Sequence, residues 1–126
     1  MLFRSQQKQF VTLASRLDKV GQQLEEARKE NTTDPLTGIG NRKLFDAMLP
    51  RAVQMFSLAR QPVVLLMIDL DKLKLVNDMY GHQAGDAAIA TLGKALSKVF
   101  LRQTDVLCRY GGDEFAVILQ DRKSVV

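Results

Sequence analysis

Two carboxylates directly follow a glycine pair in Gly111-Gly112-Asp113-Glu114, and short apolar runs flank them, Val106-Leu107-Cys108 before and Phe115-Ala116-Val117-Ile118-Leu119 after. The pattern predicts a β-hairpin with acid at its tip. Glycines accept the positive φ angles of a tight hairpin turn, which would hold the acids in a fixed place. Carboxylates on a rigid turn are candidate metal ligands. The same four residues also fit a solvated, charge-decorated turn, and alone they do not decide between the two.

A second acidic position lies upstream. Val63-Val64-Leu65-Leu66-Met67-Ile68 is a continuous apolar run, too short to cross a membrane, and it reads as a strand buried on both faces. Asp69 follows where the chain leaves the core, and Asp71 stands just beyond. If this strand pairs beside the hairpin, at a spacing of about 4.8 Å, Asp69 and Asp113 can share one hard cation. Mg²⁺ suits that arrangement, with Mn²⁺ as the alternative, because it favours carboxylate and carbonyl oxygens and takes further ligands from water and substrate phosphates. A nucleoside triphosphate follows as substrate class. The competing reading is that Asp69 caps the next helix and Asp71 is merely solvated.

Polar residues continue past the strand: Lys74, Asn77, Asp78, Gly81, His82, Gly85 and Asp86. A side-chain amide and a carboxylate together can satisfy the edge of guanine, which offers a carbonyl acceptor beside N–H donors. Lys74 can meet a phosphate as a point charge. These are also ordinary turn and cap residues of an α/β domain. His82 has no second His or Cys to complete a metal site and reads as a loop brace.

Taken together, the motifs resemble the GGDEF family of diguanylate cyclase domains. Gly111 to Phe115 spell the name-giving motif, Asp34-Pro35-Leu36-Thr37-Gly38-Ile39-Gly40-Asn41-Arg42 resembles the family's opening signature, and Asp69 to Asp86 resembles its central block. The resemblance implies condensation of two GTP into cyclic di-GMP with loss of two pyrophosphates. By the same resemblance, Asp69, the Leu70 carbonyl and Asp113 would hold Mg²⁺, and Asp113 and Glu114 would form the catalytic acidic centre. Asn77 and Asp86 would read guanine, Lys74 and the backbone near Lys72 and Leu73 would meet phosphate, and Gly111 and Gly112 would admit substrate close to the backbone. Arg102 and Asp105 match an inhibitory site that binds the product; without the resemblance they read as a helix-to-strand turn with a surface ion pair. The chemistry agrees, since attack by a ribose hydroxyl on phosphorus needs charge neutralised and the nucleophile activated, which a metal held by carboxylates can supply. The alternative is an inactive relative that binds GTP or product as a regulatory module.

The implied fold is α+β and nucleotidyl-cyclase-like, three layers around a mostly antiparallel sheet, with residues 1–31 forming a helical stalk and 32–126 the GGDEF portion. Leu73 stands where the family usually has phenylalanine. The family continues beyond the hairpin with a helix, a strand and basic groups, so the chain, with its trailing Asp121 to Val126, reads as part of a longer protein.

The stalk has its own pattern. Phe3, Phe10, Leu13, Leu17, Val20, Leu24 and Ala27 settle into alternating steps of three and four, a heptad seam that predicts pairing with a second copy of the chain. A homodimer would bring two half-sites together, and the seam could carry a signal from an upstream sensor. After it, Asn41 is a candidate helix cap, followed by an apolar face of Leu44, Phe45, Met48, Leu49, Val53 and Phe56 that Pro50 is expected to kink or interrupt. A further helix should turn Ile89, Leu92, Leu96 and Val99 inward.

Composition sets the bounds. The 126 residues are 46% hydrophobic and 25% charged, enough for one small domain plus a stalk, and the net charge of +4 is spread without the basic run that grips nucleic acid. The single cysteine, Cys108, falls within a strand and suits a reducing, cytoplasmic setting. No signal peptide or membrane-spanning run is present in these residues, so any membrane attachment would come through an upstream region.

Overall fold

The computed structural model describes residues 2–120, with side chains from residue 4 onward. In chain order the elements are α1 (Leu2–Thr32), α2 (Arg42–Ala59), β1 (Val63–Asp69), α3 (Leu73–Tyr80), α4 (His82–Val99), β2 (Val106–Arg109) and β3 (Glu114–Gln120). Two compact units result, Met1–Asn31 and Thr32–Val126. The fold is α+β with an antiparallel sheet and a long N-terminal helix.

In the first unit, Phe10, Leu13, Leu17, Val20 and Leu24 all stay exposed along α1, as does Val11 beside them. The Phe3 side chain, which belongs to the same series, and residues 121–126 lie outside the described residues.

In the second unit the strand order is β1-β3-β2, both pairings antiparallel. The central strand β3 supplies most of the core: Phe115, Ala116, Val117, Ile118 and Leu119 are all fully buried. Each large side chain among them contributes about 1.5–3 kcal/mol of burial free energy, so β3 is the element that fixes the sheet. One face carries Cys108, Ala116 and Ile118 against Phe45 and Ala52 of α2. On the other, Gly93 of α4 brings the helix close to Phe115, and a Cβ there would lie 3.7 Å from the ring and 3.0 Å from Thr37.

Several expectations need correction. Among the described residues β1 pairs with β3 alone, and its Leu65 and Met67 are exposed rather than buried on both faces. α2 runs unbroken through Pro50. The packing of Phe45 and Ala52 on either side of the proline, together with the Asn41 cap, outweighs the lost hydrogen bond. The second half of that helix does not cover the sheet, since Val53 and Phe56 are exposed, and Val99 at the end of α4 is also exposed.

The segment before α2 is ordered by hydrogen bonds to β2. The Gly40 N–H donates to the Leu107 carbonyl at 3.1 Å, and the Arg109 N–H donates to the Gly40 carbonyl at 2.8 Å. A Cβ on Gly40 would stand 2.9 Å from Cys108 Sγ, so only glycine permits this approach.

Candidate functional site

β1 and β3 end together at the acidic tip. The register sets Asp69 opposite Glu114, and the Leu70 N–H donates to the Asp113 carbonyl at 2.9 Å, carrying the ladder one step past the strands. Asp69, Leu70, Asp113 and Glu114 are therefore backbone neighbours, although they are far apart in sequence. Like charges directly opposite one another on a sheet destabilise it. Yet neither Asp69 nor Glu114 forms an ion pair among the described residues. Nor does Asp69 cap the next helix: the cap position of α3 is Lys72, whose side chain makes no capping bond.

Among the described residues no three His, Cys, Asp or Glu side chains converge into a cluster that could hold a metal alone. A site with Asp69 and Asp113 supplied from adjoining backbone positions is nevertheless compatible in donor type with Mg²⁺. That ion commonly uses one or two protein carboxylates and completes its octahedron with water and substrate phosphate.

The hairpin connection is wider than a two-residue turn. Residues 110–113 link β2 to β3, and the Glu114 carbonyl accepts from both the Tyr110 N–H (2.8 Å) and the Gly111 N–H (3.3 Å). Neither Gly111 nor Gly112 has positive φ, so the expectation that the turn requires glycine for its dihedrals is corrected: four residues close the loop without left-handed geometry. Internal packing does not require glycine either. A Cβ on Gly112 meets nothing within 4 Å, and one on Gly111 meets only ordinary contacts with Glu114.

A clamp that sequence reasoning missed holds this loop from below. Arg109 donates from Nη2 and Nε to the Gly112 carbonyl at 2.7 and 3.2 Å, and its Nη1 reaches Asp34 Oδ1 at 3.3 Å. The other Asp34 oxygen accepts from the Thr37 N–H at 3.0 Å and the Thr37 hydroxyl at 2.7 Å. The Arg109–Asp34 pair is largely screened from solvent, with side chains 20% and 13% exposed. Next to it, the Arg42 guanidinium lies 4.2 Å from the centroid of the Tyr110 ring, which packs edge-on against Phe45. The opening signature thus grips both residues that precede Gly111. The separation of Asp34 from Arg109 in sequence hid this; the only available signal was an arginine beside an acidic loop.

The other candidates lie elsewhere. Lys74 and Asn77 are on α3, Asp86 is on α4, and Lys72 is left-handed with φ 61° where β1 gives way to α3. His82 starts α4 and is exposed. Arg102 and Asp105 sit at the other end of β2 from the glycine pair, in a turn where the Arg102 N–H donates to Asp105 Oδ2 at 3.2 Å and the Asp105 N–H to the Arg102 carbonyl at 3.0 Å.

An antiparallel sheet with acid at the junction of β1 and a hairpin, layered between helices, defines a domain of the nucleotidyl-cyclase type. The family model described as diguanylate cyclase, GGDEF domain, matches residues 31–125, and the chain belongs to that family. It is 43% identical over 93 residues to the probable diguanylate cyclase DgcJ of Escherichia coli, covering 74% of this chain and 18% of that protein. It is 40% identical over 89 residues to the response regulator PleD of Caulobacter vibrioides, covering 71% of this chain and 19% of PleD. The chain thus spans about a fifth of these curated relatives. Among solved structures, the coiled coil and GGDEF domain of DgcB from Caulobacter crescentus, in complex with c-di-GMP, superposes with a TM-score of 0.82 at 31% identity, covering 95% of this chain and 62% of that one. No described helix is long and apolar enough to cross a membrane.

Proposed function

We propose that this chain carries the metal- and GTP-binding half-site of a diguanylate cyclase, which joins two GTP into cyclic di-GMP when two copies face each other. The observation that carries this reading is the register at the tip, where Asp69 meets Glu114 and Leu70 bonds to Asp113 while, among the described residues, none of these acids forms an ion pair. Asp69, Asp113 and the Leu70 carbonyl would hold Mg²⁺, or Mn²⁺, which would neutralise phosphate charge in the reaction. Asp113 or Glu114 would assist the loss of the ribose hydroxyl's proton.

The open space over Gly112, and a Gly111 bordered only by the Glu114 side chain, support a role in substrate approach, since neither dihedral geometry nor packing calls for glycine there. Asn77 and Asp86 would read the guanine edge, and Lys74 with the Lys72–Leu73 backbone would meet phosphate. Because the product is built from two nucleotides, the exposed seam of α1 supports a homodimer. Arg102 and Asp105 would bind cyclic di-GMP as an inhibitory site; the relative DgcB was crystallised with that molecule. The location consistent with GTP as substrate is the cytoplasm.

The test is incubation of the protein with GTP and Mg²⁺, with products separated by chromatography. Cyclic di-GMP that disappears in Asp113→Ala supports catalysis. GTP binding without turnover supports instead a regulatory module, and equal GTP binding by wild type and Asp113→Ala, without product, contradicts the metal-site assignment.

A further inference from the structure

The α3–α4 junction contains an arrangement that the motifs do not explain. Gly85, in the first turn of α4, is buried, and the Asn77 carboxamide from the last turn of α3 occupies the space where its Cβ would be. Asn77 Cγ lies 2.8 Å and Nδ2 3.3 Å from that position, while Oδ1 overlaps it. Oδ1 is fully buried and accepts no hydrogen bond. The amide is therefore held by shape. Its oxygen is the amide atom nearest Gly85, where only a weak C–H···O contact from the Cα is available, and its Nδ2 lies farther off, on the other side of the carboxamide.

We infer that Gly85 is a positioning residue for nucleotide recognition: it seats the Asn77 amide with its donor end outward and so sets a preference for guanine over adenine. This rests on the reading of Asn77 and Asp86 as the base-contacting pair. Guanine presents a carbonyl acceptor at the position where adenine presents an amino donor. A freely rotating carboxamide can exchange its donor and acceptor ends and adapt to either base. Turning it here would aim the NH₂ at the Gly85 Cα–H, donor against donor, so the seat removes the adenine-compatible state. Asp86, next in the chain and exposed, supplies the acceptor for guanine's N–H groups.

The experiment measures Mg²⁺-dependent binding of fluorescent GTP and ATP analogues to the full chain and to Gly85→Ala, Asn77→Ala and the double variant, with folding followed by circular dichroism. Gly85→Ala is expected to weaken GTP about tenfold, the cost of one lost hydrogen bond of ordinary strength, and to narrow the GTP-to-ATP ratio by a similar factor. In the Asn77→Ala background, where the Cβ has room, Gly85→Ala should have no further effect on either nucleotide. That background removes the atoms the Cβ would strike, so it keeps the test valid if the single variant does not fold.

Wild-type GTP affinity and base preference in Gly85→Ala would overturn the inference while leaving Asn77 as a base reader. A loss of GTP affinity in Gly85→Ala that persists in full in the double variant would also overturn it, because the glycine would then act through packing rather than through the amide. Unchanged GTP binding in Asn77→Ala would overturn the base-reading assignment itself, and the inference with it.

Discussion

Replacing Arg109 with alanine should loosen the acidic loop and destabilise the domain by an amount set by the bonds it makes. The guanidinium holds the Gly112 carbonyl through two donors and Asp34 through a third. Gly112 is exposed, so water can replace the donors lost from its carbonyl at small cost. Asp34 is different: it is largely screened from solvent and would keep only the two bonds from Thr37. A charge-assisted hydrogen bond is worth about 1.5–3 kcal/mol, and the partial exposure of the pair brings the expected cost to about 2 kcal/mol. For a domain the size of Thr32–Val126, that corresponds to a fall in melting temperature of about 8–16 °C. Thermal denaturation by far-ultraviolet circular dichroism measures it. Arg109→Lys, which keeps the charge but lacks the planar fork, should recover less than half of the loss. A double-mutant cycle with Asp34→Asn should give a coupling of about 1 kcal/mol. Melting of Arg109→Ala within about 2 °C of wild type, or no coupling to Asp34, would refute the clamp, since either would mean these contacts contribute under ~0.5 kcal/mol.

Burial pushes the Cys108 thiol up from 9.0 to about 11, because the thiolate would lose its hydration in the core. Its contribution to stability is fully present below pH 9 and is lost as the pH rises toward about 11, where the unfolded chain releases a proton that the folded chain keeps; the slope is about 1.4 kcal/mol per pH unit. Chemical denaturation from pH 8 upward should therefore show a steeper loss in wild type than in Cys108→Ala, and equal slopes would contradict it. On α1, Leu17→Lys should lower self-association measured by sedimentation by at least tenfold in dissociation constant, since one buried seam position contributes about 1.5–3 kcal/mol. Unchanged sedimentation would show that the seam is not the dimer contact.

The pieces of the fold that depend on local pattern were legible in the sequence. The apolar run at Val63, the hairpin strands around Cys108 and Phe115 and the Asn41 cap all have short-range signatures, and each element formed where its periodicity placed it. What the pattern could not carry was the identity of neighbours. An unbroken apolar run does not reveal which neighbours a strand has, so the exposure of Leu65 and Met67 was hidden. Propensity alone pointed to a kink or restart at Pro50, while the second helix is continuous through it, with Phe45 and Ala52 packed on either side.

The acids at the tip could be named because their sequence motif is compact. Their alignment required the β1–β3 register, and the Arg109–Asp34 clamp depended on a contact between residues 75 apart. The amide seat at Gly85 was similarly hidden, because a glycine in a polar motif reads first as a turn residue.

The most direct test of the shared metal site is a Mn²⁺ titration in the presence of GTP, read by electron paramagnetic resonance, on wild type, Asp69→Asn and Asp113→Asn. The account predicts nucleotide-dependent binding of Mn²⁺ that either substitution weakens at least tenfold, about 1.4 kcal/mol or more. Binding of Mn²⁺ with wild-type affinity by both variants would contradict it.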